Sequence, residues 1–309
     1  MADCYSPLTI EHGAKRSDVP CGKCVACLKK RVSGWSYRLQ KEERRSNSAF
    51  FITLTYNTEN VPLTKNGYMT LSKEDVQKFF KRLRKLQANR EMDSCIVCNG
   101  VKKICKEVKS RNAELCNMTK ISYYLVGEYG SKTKRPHYHM IIYGADILEV
   151  EKAWKLDGKE LGNIHCGSVS GASVGYTLKY IHKEKMVDPV TGRKEYKIGS
   201  AKNDDRLEEF SLMSKGIGKN YVNERTIAWH KADLLNRYYL PYEGKKLPLP
   251  KYYRKLIYND EELKLIQKHM KKIKREEEEN LTLEEYREEE KKKIEETRRY
   301  IKNGKEDKI

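Results

Sequence analysis

Arg135-Pro136-His137-Tyr138-His139-Met140-Ile141-Ile142-Tyr143-Gly144 decides the reading of this chain. A proline at its start, aromatic and β-branched residues through it and a glycine at its end predict a β-strand. Strand side chains alternate, so His137 and His139 share one face while Tyr138, Met140 and Ile142 take the other. Two imidazoles on an otherwise apolar strand are costly to bury unless something binds them, and imidazole is a common ligand of divalent metals. Residues 121–129 read as a second strand and 130–135 as the turn between the two. A hairpin symmetrical about that turn sets Glu128 directly opposite His137, on the same face. Glu128, His137 and His139 would then form a mixed oxygen–nitrogen site with open positions, whereas a one-residue slip would turn Glu128 away. The competing reading is a chance His-x-His pair on a half-exposed strand.

Upstream, Ala49-Phe50-Phe51-Ile52-Thr53-Leu54-Thr55-Tyr56 reads as a strand. A helix follows, with Ser72 as N-cap, Asp75 three residues on, and Val76, Phe79, Phe80, Leu83 and Leu86 at helical spacing. Residues 90–119 read as an insertion. Downstream come a short helix near 148–154 and a strand near 163–169. Strand, helix, strand, strand, helix, strand predicts an α+β fold: a split βαβ antiparallel sheet with helices on one side. The stretch from Gly171 to Lys183 reads as a helix on which Tyr176 and Tyr180, four apart, share a face, with Lys179 on the neighbouring edge. A phenol, with an ordinary pKa near ~10, is a weak nucleophile at neutral pH. A metal gripping the electrophile and a lysine near the developing charge would both help it attack. With 21 tyrosines in the chain, core packing is the plainer reading of the pair taken alone.

The chain has 309 residues and a net charge of +19. From residue 260 onward acidic and basic residues nearly balance, so the excess falls on the body, which suggests a polyanion partner, nucleic acid first. No apolar segment suits a signal peptide or a membrane span, which leads us to expect an intracellular protein without membrane contact. Its nine cysteines then read as thiols or metal ligands. Cys21-x-x-Cys24-x-x-Cys27 supplies three soft ligands for tetrahedral zinc if Cys4 or another group joins; reduced buried thiols are the alternative. Cys95, Cys98, Cys105 and Cys116, more loosely spaced, are candidates for a second zinc site. The expected organisation is a Cys-rich segment (1–45), a sheet domain (46–186), a basic extension (187–258) and a charged tail (259–309) that reads as one solvated helix.

In their order along the chain, Phe51-Ile52-Thr53-Leu54-Thr55-Tyr56, His137-Tyr138-His139 and Tyr176-x-x-Lys179-Tyr180 resemble the three motifs of the HUH endonucleases that initiate rolling-circle replication. Cys21-Gly22-Lys23-Cys24, Gly127-Glu128-Tyr129-Gly130, Arg135-Pro136-His137-Tyr138-His139 and Phe210-Ser211-Leu212-Met213-Ser214 resemble more narrowly the replication initiators of gokushoviruses, in the microvirus family. The resemblance covers roughly residues 20–245; the 90–119 insertion departs from it. It implies a ferredoxin-like sheet with Mg or Mn at Glu128, His137 and His139, and a tyrosine helix beside it. It also implies a reaction on single-stranded origin DNA: Tyr176 attacks to leave a 5′-phosphotyrosine and a 3′-OH, and Tyr180 makes the second attack that reseals a circle. The Tyr-x-x-Lys spacing points to Tyr176 as the first nucleophile, though the two can exchange roles. The resemblance further implies host replication machinery as partner and the bacterial host cytoplasm as location. A transposase or relaxase would share the chemistry. A zinc-dependent nucleic-acid-binding protein without catalysis is the reading from another class.

Overall fold

The computed structural model of the protein describes residues 4–12, 15–93, 100, 101, 103, 104, 119–183 and 203–306. Among them the elements run β1 (Leu8–His12), β2 (Lys15–Val19), α1 (Val25–Glu43), β3 (Ala49–Thr55), α2 (Lys73–Asp93), β4 (Ser122–Tyr129), β5 (Pro136–Tyr143), α3 (Ile147–Ala153), β6 (Lys155–Leu156), β7 (Lys159–Glu160), β8 (Ile164–Ser168) and α4 (Gly171–Lys183). There follow β9 (Phe210–Met213), α5 (Glu224–Lys231), β10 (Tyr239–Tyr242), β11 (Lys245–Pro248), α6 (Lys251–Ile257), α7 (Asp260–Glu279) and α8 (Leu283–Glu306). By internal packing the chain divides into two units, Glu42–Tyr180 with Tyr196–Ile217, and Met1–Lys41 with Ile181–Glu195 and Gly218–Ile309.

The first unit is built on the hairpin of β4 and β5, which pair with Glu128 opposite His137, the register its sequence predicts. β3 pairs with the other side of β5, setting Thr53 opposite His139. β8 extends the sheet beyond β3 and β9 beyond β4, giving the order β8-β3-β5-β4-β9 with every neighbouring pair antiparallel. β3 and β4 therefore run parallel to each other, joined through α2, with β5 inserted between them. The class is α+β, as expected. Phe210-Ser211-Leu212-Met213, conspicuous in an otherwise unclassified basic stretch, supplies the edge strand β9.

Alternation sorts the sheet into two faces. Ile52, Leu54, Leu125, Tyr138, Met140 and Ile142 project to the face covered by α2 and α3, where they share one core with Val76, Phe79, Leu83, Val150, Ala153 and Trp154. Full burial of side chains of this size is worth roughly 1.5–3 kcal/mol each before the entropy of ordering them is counted. α2 starts where its sequence says it should, with the Ser72 hydroxyl accepting from the Asp75 N–H at 3.1 Å. Gly144 ends β5 at φ 67°, where a Cβ would stand 2.8 Å from the Lys120 carbonyl oxygen, so only glycine fits. Polar atoms in this core are paired: Tyr138 Oη accepts from the Ser72 N–H at 2.8 Å, and Trp154 Nε1 donates to the Thr55 carbonyl at 2.9 Å. The other face carries His137, His139 and Glu128, and α4 lies against it, since Tyr176 reaches Glu128 there. The expectation of helices on one side holds for α2 and α3 but not for α4. The polar face can be served only by a helix that packs opposite the apolar core.

The second unit has an aromatic core of Tyr37, Tyr221, Leu240, Leu249, Tyr253, Ile257, Tyr258 and Ile266. The tail is not the single solvated helix its composition suggests. Asn280 ends α7, and a fresh start follows in which Glu285 Oε2 accepts the Thr282 N–H at 2.9 Å and Thr282 Oγ1 accepts the Glu285 N–H at 3.3 Å. Ile266 on α7 is buried, so that helix is packed along part of its length. Among the described residues no helix is long and apolar enough to cross a membrane. Cys95, Cys98, Cys105 and Cys116 lie outside the described residues.

Candidate functional site

Glu128, His137 and His139 converge as the hairpin register requires, each offering one ligand atom within 4.8 Å of the others. Glu128 Oε1 lies 2.7 Å from His137 Nε2 and 2.9 Å from His139 Nε2. The far nitrogens of both rings are held. His137 Nδ1 faces the Arg135 carbonyl oxygen at 3.1 Å, and His139 Nδ1 faces Thr53 Oγ1 at 2.9 Å. A carbonyl can only accept, so His137 Nδ1 carries a proton, and in the neutral ring the Nε2 lone pair is turned inward.

Tyr176 completes the cluster from α4, donating its hydroxyl to the same Glu128 Oε1 at 2.7 Å. That oxygen accepts good bonds from Tyr176 and His137, and its lone pairs are then used. His139 Nε2, although close, is left buried without a hydrogen-bond partner. Two imidazole nitrogens, a carboxylate oxygen and one orphaned buried nitrogen are the donor set a divalent cation fits, with positions left for substrate or water.

The charges are consistent with this. Burial pushes the Glu128 carboxyl up, but hydrogen bonds and charge from His137 and then His139 outweigh it and hold the group at about 2. Burial lowers His137, yet its bond to Glu128 and that group's charge leave it above the ordinary imidazole value, with Glu209 adding a smaller push. The Tyr176 phenol is raised by burial, then by its bond to Glu128 and the negative charge there, so it stays protonated in the site as it stands. Its side chain is nevertheless 38% exposed, which leaves it reachable from solvent.

Lys179 is half-buried on the same helix. The backbone of Tyr180 is helical, and its side chain lies outside the described residues. Sequence reasoning assigned no role to three contributors. Phe51 stacks on His139, with ring centroids 5.7 Å apart and planes within 1°, and meets Tyr176 edge-on at 6.4 Å. Thr53 holds the His139 ring, and Glu209 adds charge. Phe51 and Thr53 alternate on β3 within a motif already quoted, so their common face was legible; that this face meets His139 was not. Cys21, Cys24 and Cys27 gather with Cys4 in a separate cluster, in the other unit.

Residues 49–185, which include Glu128, His137, His139, Tyr176 and Tyr180, match the family described as replication-associated protein ORF2. The chain is 24% identical over 264 residues to replication-associated protein VP4 of Bdellovibrio phage phiMH2K, covering 81% of this chain and 70% of that protein. It is 26% identical over 231 residues to replication-associated protein ORF2 of Spiroplasma virus 4, covering 70% and 60%. It is 23% identical over 272 residues to replication-associated protein ORF4 of Chlamydia phage 1, covering 79% and 55%. No solved structure matches the chain. These likenesses bear out the resemblance to phage replication initiators drawn from the motifs.

Proposed function

We infer that the chain is a replication initiation endonuclease of the two-tyrosine HUH type, acting on single-stranded phage DNA at an origin inside the bacterial host. The observation that carries this reading is the 2.7 Å contact of Tyr176 Oη with Glu128 Oε1, which brings a nucleophile to the point where His137 and His139 also converge. The order β8-β3-β5-β4 supports a ferredoxin-like sheet as the scaffold.

Glu128, His137 and His139 would hold Mg or Mn, which supplies Lewis-acid polarisation of a phosphate and offsets its charge. The protein's own part is positional. Thr53 and the Arg135 carbonyl aim the two imidazoles, and Phe51 fixes the plane of one of them. In this arrangement Tyr176 is tied to Glu128, and it must exchange the carboxylate for the scissile phosphate. The Tyr176 Oη–P bond then forms as the P–O3′ bond breaks. The phenolic proton is lost, and the departing 3′-oxygen takes up a proton to become the 3′-OH that primes synthesis. Tyr180, one turn further along the same helix, is assigned the second transfer, which needs a nucleophile while Tyr176 still carries DNA.

The test is incubation with a single-stranded origin oligonucleotide and Mn, followed by denaturing electrophoresis and mass mapping of the adduct. The wild-type chain should carry DNA on Tyr176. Tyr176→Phe, which keeps the ring and removes the attacking oxygen, should lose most of the adduct. Tyr180→Phe should form the adduct yet fail to transfer and close it. DNA linked to neither tyrosine ends the two-tyrosine reading. A chain that binds DNA without any adduct supports the non-catalytic alternative instead.

A further inference from the structure

Outside the proposed nuclease site, four cysteines bring their sulfurs to one point. Cys4, Cys21, Cys24 and Cys27 each place Sγ within 4.8 Å of the others, with Cys4 and Cys24 3.9 Å apart. None of the four is in a disulfide. A disulfide would need sulfurs about 2.05 Å apart, well inside this spacing. A tetrahedron of thiolates around zinc, with Zn–S near 2.3 Å, has edges of about 3.8 Å, which is the spacing seen. An iron–sulfur cluster needs its cysteines spread around several metal atoms rather than one.

The backbone around the sulfurs is arranged for thiolates. Cys21 N–H donates to Cys4 Sγ at 3.2 Å, Lys23 N–H and Cys24 N–H both donate to Cys21 Sγ at 3.4 and 3.3 Å, and Tyr5 N–H donates to Cys24 Sγ at 3.4 Å. Each such bond favours the charged form of sulfur, the form a metal takes. Gly22, at φ +71°, makes the turn that lets two of these amides point at one sulfur.

The surroundings say what such a site is for. Between Cys4 and Cys21 runs the β1–β2 hairpin, five residues a strand, with Leu8 and Ile10 at 53% and 40% exposure. A two-stranded hairpin with its apolar residues in water is marginal on its own and needs an external fastening. Cys24 and Cys27 stand at the start of α1, so one ion bonded to all four sulfurs would clamp the hairpin to that helix. Tyr5 ties the same point to the tail, because its hydroxyl and Lys29 both reach Glu296 of α8.

We propose that Cys4, Cys21, Cys24 and Cys27 form a closed tetrathiolate zinc site that fastens the N-terminal hairpin to α1 and steadies the docking of α8. Four protein ligands leave no open position, so the role is structural and independent of the proposed nuclease centre.

The test is metal analysis of the full-length chain purified without chelator, with cobalt substitution as a second readout. Wild type and the His137→Ala/His139→Ala double variant should each carry one tightly held zinc per chain. Cys21→Ser/Cys24→Ser should carry none, and Cys95→Ser/Cys98→Ser should keep it. The cobalt-loaded wild type should show the intense thiolate-to-metal charge-transfer bands of a tetrahedral all-sulfur site. Cys4→His should still bind one cobalt with those bands weakened and moved to higher energy. If the double cysteine variant does not fold, titrating the wild type with a mercurial decides instead, zinc being released in step with modification of four thiols. Tryptic cleavage between α7 and α8 should rise when the zinc is removed. Wild type free of zinc, zinc that follows Cys95 and Cys98 or the two histidines, a visible iron chromophore, or a cobalt spectrum indifferent to Cys4→His would each overturn the assignment.

Discussion

Thr53→Val probes the site without touching a residue that would hold the ion. The Thr53 hydroxyl stands 2.9 Å from His139 Nδ1, on the side of the ring turned away from Glu128. Valine keeps the β-branched shape that suits a strand between β5 and β8, so the fold should survive. What is lost is the group that fixes the tautomer and rotation of His139. Losing such an outer partner costs ~10–100-fold in metal affinity. Phe51 still holds the ring plane by stacking at 5.7 Å, but a stack cannot choose which nitrogen carries the proton. The loss should therefore fall near the lower end, ~10-fold or about 1.4 kcal/mol. Adding Phe51→Ala should move it toward the upper end. The assay is calorimetric titration of Mn into the chelator-treated full chain, with thermal melting as the control for folding. Unchanged Mn affinity in Thr53→Val, with binding abolished by His139→Ala, would refute the idea that Thr53 orients the ligand.

Tyr138→Phe should cost about 1–3 kcal/mol in denaturant unfolding, because the buried Ser72 N–H at 2.8 Å then has lost its acceptor; an unchanged midpoint would argue that water replaces the hydroxyl. In the second unit, fully buried His230 receives Tyr221 Oη at Nε2, 2.8 Å away, and places Nδ1 2.6 Å from the Arg237 carbonyl. Burial depresses its pKa, the carbonyl only partly offsetting this, so the unfolded chain binds the proton more readily. Its contribution to stability is thus complete above the ordinary imidazole pKa of about 6.5 and drains away as pH falls toward the lower folded value. Melting at stepped pH should show that slope in the wild type and a shallower one in His230→Asn; equal slopes would place the titration elsewhere.

How much of this could be read from the sequence depends on how far apart the partners lie along the chain. Glu128 and His137 are nine residues apart across a short turn, and alternation plus hairpin symmetry fixes their register without any tertiary knowledge. Thr53 and His139 are 86 residues apart. Alternation says that Thr53 shares a face with Phe51, but which strand lies beside β3 follows only from how α2 packs. The same holds for β9, whose apolar run was visible but whose place next to β4 was not. The tail misled for another reason. Its heptad-like apolar spacing continues through the Asn280 break, while the capping chemistry of Thr282 and Glu285 that restarts the helix is local and easily passed over. The cysteines near α1 declared one another by spacing, except that Cys4 joins only because the β1–β2 hairpin returns the chain to it.

β5 explains why the two faces of the sheet cannot be understood separately. His137 and His139 flank Tyr138, which points the opposite way and is fully buried. Its hydroxyl is clamped by Tyr56 Oη at 3.0 Å and by both the N–H and the carbonyl of Ser72, at 2.8 and 3.0 Å. Tyr56 is in turn bonded to Asp75 at 2.9 Å, inside the first turn of α2. The spacing of the imidazoles on one face is thus held from behind by a polar network on the other, anchored in the start of the helix that joins β3 to β4. A buried carboxylate facing two histidines would otherwise be free to relax by rotating a ring or shifting the strand, at less cost than staying desolvated. Because the backbone between the rings cannot move, the orphaned nitrogen of His139 stays orphaned, and the site remains organised around something it does not itself contain.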